Sequence, residues 1–137
     1  MYTHNMNIRV RYAETDQMGY VYYGNYASYY ETARVEALRN LGISYADLEK
    51  IGVIMPVLSL RIQYHAPALY DEMLAIQTTI PQKPQARIYF VYKLYNQRNE
   101  LLNSAETHLA FLKKSTRKPM KPPRDIMDKL EPFFETN

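Results

Sequence analysis

Residues 9–42 read RVRYAETDQMGYVYYGNYASYYETARVEALRNLG, and two different periods meet inside them. Met6, Ile8, Val10 and Tyr12 alternate with Asn7, Arg9 and Arg11, a period of two that predicts a strand over residues 5–12. Residues 13–24 keep no period, and Gly19 and Gly24 mark them as a shaped loop. Tyr26, Tyr30, Ala33, Ala37 and Leu41 then fall on one face of a helix over 25–41, with Tyr29, Val35 and Leu38 widening its apolar surface. Asn25 is its expected N-cap and Gly42 its C′ residue.

Downstream, residues 45–51 predict one short helix closed by Gly52. The period then returns to two, four times. Leu58, Leu60, Ile62 and Tyr64 alternate with polar residues, as do Leu74, Ile76, Thr78 and Ile80. Ile88, Phe90, Tyr92 and Leu94 extend a strand over 86–94, and Ala105, Thr107, Leu109 and Phe111 define a last one over 105–111. Proline- and asparagine-rich turns separate these runs, too short for parallel crossovers, so the sheet is expected to be antiparallel. One strand, one long helix and four strands make an α+β pattern, with the helix lying on one sheet face. Residues 114–124, KSTRKPMKPPR, predict a basic surface tail. A short amphipathic helix over 125–134 is left open between docked and frayed. The expected core is about 5–113, with residues beyond about 118 dispensable to it.

A chain of 137 residues is the size of one domain, and no second is expected. No cysteine is present, which excludes a thiol nucleophile and cysteine-ligated metal. His4, His65 and His108 lack ligand spacing, so no metal site is expected, and His65 and His108 are read as surface or interface residues. Four glycines, none in GxGxxG or GxxxxGK, exclude the common nucleotide-binding loops. The N-terminal residues hold no apolar core of a signal peptide, and no run reaches the ~18 apolar residues of a membrane span. A cytoplasmic protein without nucleic-acid partner is expected. The net charge of +3 leans toward an anionic ligand.

The loop after the first strand carries the chemistry. Glu14 and Asp16 lie just ahead of a helix whose first N–H groups, near Tyr23 to Tyr26, have no intrahelical partner. Backbone donors can hold an oxyanion, and a carboxylate beside them can attack a carbonyl or activate water. From the residues alone, Asp16 is equally readable as a turn or cap residue.

The stretch resembles the signature of hotdog-fold acyl-CoA thioesterases of the 4-hydroxybenzoyl-CoA thioesterase type: Tyr12, Asp16, Gly19, Val21, Tyr23, Asn25 and Tyr26, then Tyr30, Glu31, Arg34 and Glu36. The resemblance is most specific over 8–42 and extends by strand order over most of 5–113. It implies a curved antiparallel five-stranded sheet wrapped around the 25–41 helix. It also implies a homodimer or homotetramer with its active site at the subunit interface.

Asp16 would be the catalytic carboxylate, as nucleophile or as base, and the Tyr23 N–H would polarise the thioester carbonyl. In the Tol-Pal-associated branch a histidine often stands where this chain has Tyr23. Tyr12, Gly19 and Tyr26 would line the substrate site. Coenzyme A, part of the substrate rather than a cofactor, would need a basic rim, for which Arg87, Lys113 and Arg117, with Lys114 and Lys118, are the available residues. Glu14 is read as a solvated loop residue, and Glu31, Arg34 and Glu36 as structural helix neighbours. An acyl-carrier-protein thioesterase and a non-catalytic acyl-binding or scaffolding hotdog dimer are the alternatives.

Overall fold

The computed structural model describes residues 1–135. Its elements run β1 (Tyr2–Arg9), α1 (Tyr26–Asn40), α2 (Tyr45–Lys50), β2 (Val53–Ile54), β3 (Val57–Tyr64), β4 (Met73–Ile80), β5 (Arg87–Tyr95), β6 (Leu101–Ala110), β7 (Leu112–Lys113) and α3 (Arg124–Leu130). Five strands form one antiparallel sheet in the order β1-β4-β5-β6-β3, and β2 pairs with β7 beside it. The α+β architecture and the single long helix are those expected.

The core lies between α1 and one face of this sheet. Alternation puts Leu74, Ile76 and Ile80 of β4, and Ile88, Phe90, Tyr92 and Leu94 of β5, on that face, all fully buried. From α1, Tyr26, Tyr29, Tyr30, Ala33, Ala37 and Leu38 meet them. The two alanines let the helix approach β1 and β4 closely. Gly42 ends α1 in the left-handed region at φ +85°, where Ile43 N donates back to Leu38 O.

Four expectations change. β1 runs from Tyr2 to Arg9 rather than over 5–12, because all eight residues find partners on β4, from Tyr2↔Ile80 to Arg9↔Met73. β6 starts at Leu101, four residues early, because it is a central strand paired to both β5 and β3. Asn25 does not cap α1 with its side chain; a 3-10 turn over Tyr23–Asn25 leads into the helix, and Asn25 Nδ2 donates to Glu14 O at 2.8 Å instead. Arg34 does not pair with Glu31 or Glu36. It turns inward, donating from Nε to the Tyr45 hydroxyl at 3.0 Å and from Nη1 to the Tyr92 hydroxyl at 3.1 Å, while Glu36 pairs with Arg39.

The core also does not end at 113. Ile126 and Leu130 of α3 are fully buried within the same apolar cluster as α1 and the sheet. Met120 N donates to Phe111 O, Lys129 Nζ donates to Gly42 O, and Lys83 pairs with Glu131, so residues 118–131 are tied down along their length. Period-two counting stops at Phe111 because the chain there leaves the sheet, not because it leaves the core.

β3 is an edge strand, and here the alternation has an unexpected outcome. Leu58, Leu60 and Tyr64 point to the same side as the sheet's buried face, since Leu60 is registered with Thr107 and Tyr64 with Asn103. Yet Leu60 and Tyr64 remain 43% and 49% exposed although the Tyr26 ring of α1 meets Tyr64 at the strand's end, and Leu58, at a bulge, is 48% exposed.

Candidate active site

The Asp16 loop is built by short-range hydrogen bonds. Val10 N donates to Glu72 O as β1 ends, and residues Tyr12–Glu14 make a 3-10 turn. Glu14 closes that turn, accepting the Arg11 N–H on Oε1 at 2.8 Å. Two residues on, Asp16 and Tyr20 exchange bonds: Asp16 N donates to Tyr20 O at 2.8 Å, and Tyr20 N donates to Asp16 Oδ1 at 3.2 Å. Met18 N reaches the same Oδ1 at 2.9 Å. Gly19 takes φ +77° between them, a conformation costly for any side chain. The loop is then clamped across the chain by Val21 N to Ala68 O, Tyr22 N to Glu14 O and Tyr70 N to Gly19 O.

Asp16 therefore fills both of its readings at once. Oδ1 is a turn acceptor, which fixes the carboxylate plane. Oδ2 accepts no hydrogen bond among the described residues. The side chain lines a cleft of about 350 Å³ with Met18, Tyr23, Tyr26, Tyr64 and His65. The cleft is open to solvent, and its walls are mostly aromatic. The N–H groups of Tyr23 and Gly24, at the start of the turn that opens α1, donate to nothing among the described residues. Asp16 and Tyr23 thus line one cleft, the first with a carboxylate oxygen and the second with a backbone N–H that have no partner among the described residues. That pairing is what addition to a carbonyl requires.

Each aromatic wall makes one hydroxyl hydrogen bond. Tyr26 accepts the Ala68 N–H at 3.2 Å, and burial raises its pKa, so it stays a neutral phenol. Tyr64 donates to Tyr23 O at 3.2 Å, and its ring meets that of Tyr26 edge-on at 5.5 Å.

The other site expectations divide. Gly19 shapes the loop but does not line the cleft. Tyr12 is 78% exposed, turned away against Tyr70 at a ring separation of 5.6 Å. Nor do Arg87, Lys113 and Arg117 line the cleft. They gather near the far end of the sheet, Arg87 registered with Ala110, Lys113 with Val53, and Arg117 N bonded to Lys113 O. The Asp16 cleft lies instead at the start of β6, where His65 N donates to Leu102 O. About 23 Å of strand separates the two ends.

Glu14 is not solvated. Its side chain is 16% exposed, and Oε1 also accepts the Tyr29 hydroxyl at 3.0 Å. Burial works against its charge, but the Arg11 N–H, the Tyr29 hydroxyl and the Arg11 guanidinium outweigh that and hold its pKa below the usual value. In the sequence Glu14 reads as a solvated loop residue, because its partner Tyr29 stands 15 residues away. A larger cleft of about 680 Å³ beside Pro84, Met120 and Met127 is lined by Lys121 but by no carboxylate or imidazole.

Known proteins resemble this chain in sequence and in fold. The family model of the thioesterase-like superfamily matches residues 10–130. Acyl-CoA thioester hydrolase YbgC of Escherichia coli is 36% identical over 120 residues, covering 88% of this chain and 90% of that protein. Acyl-CoA thioesterase YbgC of Haemophilus influenzae is 32% identical over 121 residues, covering 87% and 88%. Among solved structures, DHNA-CoA thioesterase from Staphylococcus aureus superposes with a TM-score of 0.88 at 37% identity, over 97% of this chain and 89% of that one. With the β1-β4-β5-β6-β3 sheet laid against one long helix, these matches establish that the chain belongs to the thioesterase-like superfamily and has the hotdog fold.

Proposed function

We propose that this thioester hydrolase cleaves an acyl-CoA thioester to a free carboxylic acid and coenzyme A, with Asp16 as its reacting carboxylate. The observation that carries this reading is that Asp16, whose Oδ2 has no partner, and Tyr23, whose N–H has none among the described residues, line one cleft. The thioester oxygen takes the Tyr23 N–H as negative charge builds on it. Oδ2 either attacks the carbonyl carbon, giving a mixed anhydride that water then opens, or removes a proton from the attacking water. In both courses the C–S bond breaks and the thiolate leaves, to be protonated from solvent. Two N–H donors on Oδ1 hold the carboxylate in place and leave the other oxygen to react.

The enzyme works in this reading as a homodimer joined through β3. That strand is an open edge with apolar side chains exposed along it, an arrangement that invites pairing. Antiparallel pairing about a two-fold axis sets the Tyr64 end of one β3 beside the Val57 end of the other. It thereby brings the basic end of one protomer, with Arg87, Lys113 and Arg117, toward the Asp16 cleft of its partner. The phosphates of coenzyme A would meet those cations there. A hydrolysis screen over acyl-CoA esters from acetyl to palmitoyl, aromatic esters included, tests the activity. Release of coenzyme A from at least one class supports it, and none from any class overturns it.

A further inference from the structure

Behind the aromatic wall of the Asp16 cleft sits a polar group with nothing to bind. Asn103 of β6 is wholly buried, and its Nδ2 has no hydrogen-bond partner among the described residues. Its Oδ1 accepts the hydroxyl of Tyr30. Burial pushes the Tyr30 hydroxyl well above the ordinary phenol pKa, so it keeps its proton and donates. An orphaned buried donor costs about 1–3 kcal/mol, and native structures keep few. Arg34, Tyr45, Tyr92 and Thr107, by contrast, bond to one another, while Thr78 Oγ1 on β4 is a second buried group without a partner among the described residues.

Its place in the fold gives the orphan a use. Tyr64, a wall of the cleft, is the register neighbour of Asn103 across β3 and β6. Tyr30 lies one helical turn, about 6 Å, beyond Tyr26, the other wall. Asn103 is thus tied to both walls, by register to Tyr64 and through Tyr30 to the helix that carries Tyr26, while it does not itself line the cleft. Tyr64 is half-exposed and held by one hydroxyl bond and the edge-on contact with Tyr26, so an acyl group that displaces its ring reaches Asn103.

We propose that Asn103, oriented by Tyr30, is a specificity-determining residue that reads an oxygen on the acyl group behind the Tyr26–Tyr64 wall, so that hydroxylated acyl groups are favoured over their apolar isosteres. This rests on the Asp16 cleft being the acyl site. A site built to bond a hydroxyl rejects the analogue that lacks it, because its own polar group then stays unpaired.

The test compares 4-hydroxybenzoyl-CoA with 4-methylbenzoyl-CoA, and 6-hydroxyhexanoyl-CoA with heptanoyl-CoA, pairs that differ by hydroxyl against methyl. The wild type is expected to favour a hydroxylated member by about tenfold or more in kcat/KM. The double variant Tyr30→Phe/Asn103→Leu removes both polar partners at nearly constant shape, a change that is close to neutral for folding. Its ratio of kcat/KM between the two members of each pair should fall to about one, whatever the absolute rates. Asn103→Asp, which keeps the size but replaces the donor, should also lose the preference. A double variant that still favours the hydroxyl, or a wild type with no preference in either pair, overturns the proposal and leaves Asn103 serving a buried water only. Asp16→Asn, assayed alongside, reports on the catalytic reading by itself: an active Asp16→Asn protein rejects that reading without altering the ratio that judges Asn103.

Discussion

The hydroxyl of Tyr29, in the second turn beyond the start of the site, donates to Glu14 Oε1 at 3.0 Å and joins the Asp16 loop to the long helix. Glu14 O meanwhile accepts Tyr22 N at 2.9 Å and Asn25 Nδ2 at 2.8 Å. One residue therefore ties together both strands of the loop and the first turns of α1. Since the Tyr23 N–H belongs to those turns, the spacing between Asp16 and its neighbouring donor depends on this clasp.

Glu14→Gln is accordingly expected to lower both stability and activity, rather than to pass unnoticed as a solvated residue would. The sign of its pH dependence follows from its depressed pKa. Its ionised form contributes stability above the unfolded value near 4.5, and that contribution is lost as pH falls through the lower folded value. Urea unfolding at pH 7 and at pH 3 should show a wild-type advantage over Glu14→Gln that shrinks at the lower pH. An unchanged difference at the two values would reject the assignment.

For Asp16→Asn the expectation is the opposite partition. The amide oxygen can still accept from Met18 N and Tyr20 N, so the turn survives. Neither nucleophile nor base remains, and kcat should fall by at least ~10² with little change in KM. Near-wild-type turnover by a folded Asp16→Asn protein would remove Asp16 from the chemistry.

Leu130→Ala tests the C-terminal segment. Leu130 is fully buried, and truncating such a side chain typically costs about 2–5 kcal/mol. Deletion after Arg117 removes Ile126 as well and should leave a chain that melts far lower or fails to fold. Equal melting temperatures for full-length and truncated proteins would restore the reading of a dispensable tail.

What the sequence made legible was set by periodicity and where periodicity has one meaning. β4 and β5 are paired on both sides, so each alternating residue has one destination, and Leu74, Ile76, Phe90 and Leu94 fall as counted. β3 alternates equally well, yet Leu58 and Leu60 stay exposed, because the pattern marks a face and not what covers it. α3 follows a proline-rich basic run, so its two buried residues carried too short a pattern to separate docking from fraying. At the site, the spacing of Asp16, Gly19 and Tyr26 came through the family signature. Glu14, Tyr64 and Asn103 did not, because each takes its role from a partner distant in sequence: Tyr29, Tyr23 and Tyr30 respectively.

Leu60→Glu addresses the open edge. Leu60 is exposed in the lone chain, so the substitution should leave the protomer folded while placing like charges against each other across a β3–β3 pairing. Light scattering at micromolar concentration should give a dimer for the wild type and a monomer for Leu60→Glu, with hydrolysis lost alongside. A wild type that is monomeric under these conditions would end the shared-site reading.

The strongest test of shared sites mixes two defects. One protein carries Asp16→Asn; the other carries Arg87→Glu, Lys113→Glu and Arg117→Glu. Each alone should be nearly inactive, the first for want of a carboxylate and the second through weak binding of coenzyme A, seen as a raised KM. In a mixed dimer, antiparallel β3 pairing gives one site the intact Asp16 of the triple variant and the intact cations of its partner. The other site collects every defect. Random pairing makes half the dimers mixed, each with one good site, so co-refolded protein should recover roughly a quarter of wild-type activity. If the basic residues instead served the cleft of their own protomer, every site in the mixture would keep one defect. Activity would then stay near the mean of the two parents. The recovered fraction thus separates the two geometries, because within one protomer the cations and Asp16 stand at opposite ends of β6, where no single-chain rearrangement short of breaking the sheet could bring them together.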